Sequence, residues 1–217
     1  MRLQPIAFVV FLAAVSVAAV AAPPPHSGFL ESYPALKPDP KHAGGYLYIA
    51  PGTSLKGYSK IELAPITIWY AKDSPYQGID PEELAGVTKN LRAAMVRNLE
   101  PDYPVLDVAG KDVLQLRIGI TQVVAEKKKR GILGYTPIGF VVGAAKDMAT
   151  AGPNVNLKSA TLEAELLDPS GKQLAVSVDP LVPADFNKDT MTWADLGQIM
   201  DAAGKRMRAR LDGDNAR

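Results

Sequence analysis

The patterning of this 217-residue chain predicts an α+β fold. The expected form is a two-layer sandwich, a largely antiparallel sheet of about six strands with two main helices packed on one face. Three observations carry that expectation. Two long stretches repeat apolar residues every three or four positions, and several shorter ones alternate with a period of two. The two kinds follow one another as strand–strand–helix–strand–strand–insert–strand–strand–helix, with no internal repeat. Charged residues make up 22% against 47% hydrophobic, a balance that supplies enough apolar surface for a core.

The chain opens on an address rather than on fold. Arg2 gives a positive start, Ile6–Val20 is an almost unbroken apolar run, and Ala19-Val20-Ala21 places small residues at the cleavage positions. Residues 1–21 therefore read as a secretory signal peptide. The run is short for a membrane span of about 20 residues, and removal takes Arg2 away, leaving the mature chain formally neutral. Residues 22–45 hold Pro23, Pro24, Pro25, Pro34, Pro38 and Pro40, which favour extended backbone. They are expected to form a tether, partly ordered where Phe29, Leu30 and Tyr33 can dock. Both histidines, His26 and His42, lie in it, so the folded part is expected to lack the usual general base and zinc ligand. One α+β domain is expected over 46–212, with a disordered tail at 213–217.

Tyr46–Ala50 and Lys60–Tyr70 read as strands, the second interrupted at Pro65 by a bulge or an edge. A helix follows, with Asp80 as N-cap, Pro81 in the first turn and Glu83 completing a capping box. Leu84, Val87, Leu91, Met95 and Leu99 form its stripe, and Pro101 stops it. Tyr103–Val108 and Asp112–Ala125 are expected to pair around Ala109-Gly110-Lys111. In the second of these, Leu114, Leu116, Ile118 and Ile120 face the core while Gln115, Arg117 and Thr121 face the other way. Val155–Asp168 and Gln173–Asp179 repeat the arrangement around Pro169-Ser170-Gly171, with Leu162, Ala164, Leu166, Leu174, Val176 and Val178 inward. The last helix runs from Trp193 to Leu211, with Thr192 and Asp195 as its start signal.

Composition excludes several kinds of chemistry. Lys and Arg number 24 and Asp and Glu 23, so charge gives no ground for a nucleic-acid partner. The absence of cysteine removes disulfides, thiolate nucleophiles and Cys-based metal sites. Ser170-Gly171-Lys172 and Ala203-Gly204-Lys205 lack the rest of a phosphate loop, and neither a Gly-x-Ser-x-Gly elbow nor a Ser-x-x-Lys dyad occurs.

Ser27-Gly28-Phe29-Leu30 with Tyr33, Tyr48-Ile49-Ala50-Pro51-Gly52 and Pro65-Ile66-Thr67-Ile68-Trp69 form an ordered set along the chain. Tyr103-Pro104-Val105, Val113-Leu114-Gln115-Leu116-Arg117 and Ala160-Thr161-Leu162-Glu163-Ala164-Glu165-Leu166-Leu167-Asp168 continue it. Over residues 27–211 the set resembles domain-of-unknown-function family 3313, bacterial envelope lipoproteins of unassigned role. The resemblance implies an envelope protein without an assigned reaction and brings no catalytic residues. It also implies a lipidated cysteine just before Ser27, where this chain has His26.

Two further features invite a functional reading. Glu163 and Glu165 lie on one strand face about 7 Å apart, within range for paired carboxylate chemistry; the structural alternative is a solvated face with Arg117 pairing across strands. Asp80, Glu82 and Glu83 are explained by helix capping. The run Lys127-Lys128-Lys129-Arg130 precedes an apolar, glycine-rich stretch through Gly143. Its lysines and Arg130 suit anionic lipid headgroups, with Ile132, Leu133, Phe140 and Val141 entering the interface; the alternative is a crossover that covers the sheet. The expected function is a non-enzymatic periplasmic accessory or binding protein acting on an envelope protein or lipid assembly, with no cofactor, metal or nucleic acid. Two alternatives stand beside it: an envelope hydrolase using Glu163 and Glu165 on an open sheet face, and a lipid carrier with an apolar cavity between helix and sheet.

Overall fold

A computed structural model describes residues 26–127, 155–182 and 187–215. The signal peptide expected at 1–21, and Lys128, Lys129, Arg130, Ile132, Leu133, Phe140 and Val141, lie outside the described residues.

The elements follow the expected order with two departures: a short strand forms at Lys37–Pro38, within the expected tether, and the last helix runs to Asn215, past the start of the expected tail at 213. Strands β1 (Lys37–Pro38), β2 (Tyr46–Ile49), β3 (Lys60–Leu63) and β4 (Thr67–Tyr70) precede helix α1 (Pro81–Leu99). Then come β5 (Val105–Leu106), β6 (Val113–Lys127), β7 (Val155–Leu167), β8 (Gln173–Leu181) and helix α2 (Trp193–Asn215). All eight strands join one sheet in the order β1-β2-β8-β7-β6-β3-β5, with β4 also on β6. The α+β sandwich is as expected, but the sheet is mixed. β1, β2, β8, β7 and β6 pair antiparallel in succession, whereas β3 and β4 run parallel to β6 and β5 runs parallel to β3.

The expected hairpin between Tyr103–Val108 and Asp112–Ala125 is corrected accordingly, because Val105 of β5 pairs with Ile61 of β3. Alternation fixes which face a side chain takes, not which neighbour its strand chooses. Pro65 does what its missing donor requires. β3 and β4 are one extended run along β6, broken at Ala64-Pro65-Ile66.

Both helices begin as their caps dictate. Asp80 Oδ1 accepts from the Glu82 amide at 2.8 Å, so the cap falls on the amide before Glu83. Thr192 and Asp195 form a reciprocal box, with Thr192 N and Oγ1 donating to Asp195 Oδ2 at 2.7 and 2.8 Å. The main core lies between the helices and the sheet, where Leu91, Met95, Leu99, Leu196, Met200 and Leu211 meet Leu114, Ile118, Ile120 and Leu162. β6 keeps its even-numbered residues inward as far as Ile120. The ladder then slips, Gln122 takes φ 49°, and Val123 and Ala125 become the buried positions.

One inward set is corrected. Val176 pairs with Glu165, and directly opposed residues share a face. Val176 and Val178 therefore point away from the helices, into a second small core with Phe29, Leu30 and Tyr46. That core exists because residues 26–36 cross the outer face of the sheet as a strap. Phe29 lies against Gly119, where an added Cβ would come within 2.8 Å of its ring. Only glycine leaves β6 flat enough for the aromatic to seat there.

Candidate functional site

The two helices do not cover the whole inner face. Over β2 and β8 a cleft of about 500 Å³ opens between α2 and the sheet. Its volume is within the usual range for small-molecule sites, roughly 300–1,000 Å³. Small side chains make the room: Ala164, Ala175 and Ser177 line the floor, where larger residues would have filled it. Leu47 and Ile49 of β2 form one wall, and Ile49 is left 53% exposed. Met200, Ala203 and Met207 of α2 form the roof, with Met95 of α1 at the inner end.

The rim at one end is charged. Asp39, Lys41, Asp179, Arg206 and Arg210 all line it. The turn joining β1 to β2 brings the first two. Asp39 N donates to Gly45 O and Gly45 N to His42 O, and Asp39 Oδ1 accepts from Lys41 N at 2.9 Å. An Asp-Pro start and a Gly-Gly finish allow so tight a path. At Gly45 a Cβ would meet Asp179 Oδ1 at 2.5 Å, so the backbone itself presses on that carboxylate. Arg206 and Arg210 are one turn apart on α2 and face the same way. Arg210 Nη2 lies 3.1 Å from Asp39 Oδ2, and Arg206 Nη2 lies 3.4 Å from Asp179 Oδ2.

His42 Nε2 is 3.7 Å from the same Asp179 oxygen. The folded part thus does hold a histidine, which corrects the assignment of both to a tether. His26 also packs on it, stacked 4.0 Å from the Tyr33 ring. Burial pushes the Asp179 carboxyl above the ordinary aspartate range and Asp39 adds to the rise, while His42, Arg206 and Arg210 pull it down.

Glu163 and Glu165 do not face open water. They sit beneath the strap, 1% and 3% exposed, and each is occupied by its own donors. Glu163 accepts from Tyr33 OH at 2.7 Å and Thr121 Oγ1 at 2.6 Å. Glu165 accepts from Arg117 Nη1 at 2.5 Å and Gln173 Nε2 at 2.9 Å. The cross-strand pairing with Arg117 is the expected one, but the face is covered rather than solvated, with Phe29 stacked against the Arg117 guanidinium at 5.5 Å. Of the basic cluster the structure places Lys127 alone, its ammonium 4.9 Å from the Tyr76 ring centroid at the end of β6. Among the described residues, no group of three His, Cys, Asp or Glu side chains is arranged to hold a metal ion, and no helix is long and apolar enough to cross a membrane.

The family model described as "Protein of unknown function (DUF3313)" matches residues 25–207. No curated protein matches the chain. Among solved structures, a DUF4136 family protein from Bacteroides thetaiotaomicron is similar over 77% of this chain and 96% of its own, at 12% identity and a TM-score of 0.40. The PelC dodecamer from Paraburkholderia phytofirmans is similar over the same shares, at 11% identity and a TM-score of 0.33.

Proposed function

This chain belongs to the DUF3313 family, and we propose that it is a non-enzymatic binding module of the cell envelope whose ligand is an amphiphile seated between helix and sheet. The observation that carries the reading is the cleft of about 500 Å³, with an apolar floor and roof and charge confined to one rim. An acyl chain fits such a lining because burying apolar surface drives its transfer from water, about 25 cal/mol per Å². The rim aspartates are tied to arginines, which suits recognition better than turnover. Glu163 and Glu165 offer little to the rival hydrolase reading, since each oxygen of both carboxylates already accepts from a side chain of the fold. The envelope setting rests on the signal-like residues 1–21. The basic and apolar run from Lys127 to Val141 would then be the part that meets a lipid assembly.

The test uses delipidated protein and Nile red, an uncharged dye that fluoresces in apolar sites. Saturable binding is expected, and the double variant Ala175→Leu/Ser177→Leu, which fills the floor, should weaken it at least about tenfold. A wild-type protein that never binds the dye, or a filled variant that binds it equally well, overturns the proposal.

A further inference from the structure

We infer that the ligand carries an anionic head group, carboxylate or phosphate, held at the rim of the cleft by Lys41, Arg206 and Arg210. This deepens the amphiphile reading and rests on it. Three cations and two carboxylates gather at that rim, an excess of one positive charge before His42 is counted; Glu165 also borders the cleft, but its carboxylate lies on the outer face of the sheet, bound to Arg117. The carboxylates are not free to receive a cationic ligand. Asp39 already accepts from the Lys41 amide and Arg210, and Asp179 is hemmed in by Gly45, His42 and Arg206.

The cations keep donors to spare. A guanidinium has five N–H groups in a planar fork suited to oxyanions, and the aspartates engage one nitrogen of each arginine. Lys41 is exposed and forms no ion pair among the described residues, while its backbone is fixed by the Asp39 turn. Arg206 and Arg210 project from α2 and Lys41 from the facing turn, so an anion at the mouth is approached from both sides. The apolar tail then runs inward toward Met95 and Ala164. A quaternary ammonium at the same place would face three cations, and an alcohol would offer their spare N–H groups no negative charge.

The experiment is displacement of Nile red by four amphiphiles of one chain length, below micelle-forming concentrations: hexadecanoate, hexadecyl phosphate, hexadecanol and hexadecyltrimethylammonium. At least one anion should displace the dye about tenfold or more tightly than the alcohol, the range of a charge-assisted hydrogen bond, with the ammonium weakest. Which anion wins identifies the head group. Lys41→Gln should remove part of that preference without unfolding the protein, because its side chain is in solvent, and Arg210→Gln should remove more. Equal displacement by all four, or a preference untouched by Lys41→Gln, sinks the head-group inference and leaves the binding module standing. Failure of Nile red to bind at all removes both.

Discussion

Tyr33 organises the strap through one hydroxyl group. It accepts from the amides of Ser27 and Gly28 at 3.2 and 3.1 Å and donates to Glu163 at 2.7 Å. Tyr33→Phe would leave the buried Glu163 with Thr121 as its remaining side-chain donor among the described residues. The expected cost is about 2 kcal/mol, that of a lost hydrogen bond to a charged group, together with faster amide exchange at 27–30. Unchanged exchange there would show that the strap is held by Phe29 and Leu30 alone. Glu163→Gln should cost less, because a neutral amide tolerates burial better than a carboxylate short of donors. Asp179 gives a prediction of opposite sense from most carboxylates. The folded state raises its proton affinity, so its contribution is fullest below the ordinary value of 3.8 and is lost as pH rises through the raised folded value. Compared with Asp179→Asn, the wild-type melting temperature should therefore fall as pH rises across the acid range; a relative gain would contradict the burial argument. The spacing of Glu163 and Glu165 on one face was legible in the sequence. Their burial was not, because the strap that covers them comes from residues about 130 positions earlier. The role of His42 did have a signal, since Asp39-Pro40 and Gly44-Gly45 flank it as a turn before the Tyr46 strand.

Both helices were readable because stripe and cap are local, and each cap residue sits within three positions of the amide it serves. Strand pairing was readable for β7 and β8, joined by the short turn at Pro169-Ser170-Gly171, and unreadable for β5, whose partner lies across α1. A two-residue period carries no information about distant neighbours. Glycines within α2 show how packing divides residues that look alike in sequence. At Gly197 an added Cβ meets nothing within 4 Å, whereas at Gly204 it would meet Asn98 Cβ at 2.9 Å and Met95 O at 3.3 Å, where α2 packs against α1. Gly197→Ala should stabilise by about 0.5–1 kcal/mol, the helix-propensity gain. Gly204→Ala should destabilise by about 1–3 kcal/mol, as overpacking does, despite the same gain. Chemical denaturation of both variants decides it, and equal signs would mean that the helix contact is not tight.

For the whole molecule, the question is why a sheet with a well-packed centre leaves one side of its inner face half-covered. β6 and β7 carry Ile118, Ile120, Leu162 and Leu166 under the helices, while the next strand offers Ala175 and Ser177 at the corresponding height. Small residues there forgo stability that larger ones would supply, and natural proteins keep such deficits where function needs the space. The cleft therefore predicts a trade-off. Ala175→Leu/Ser177→Leu adds apolar side chains to a site that already has walls and a roof, so it should raise stability by about 1–2 kcal/mol. For a chain of this size that is a rise in melting temperature of roughly 2–8 °C. Nile red binding should disappear in the same variant. Had the cleft been only a loose surface dent, the leucines would stay hydrated and stability would not move; had it been closed in solution by α2 settling onto the sheet, they would overpack and destabilise. A gain in melting temperature coupled to loss of the dye is the one outcome that requires a standing, walled cavity kept open at the expense of the fold.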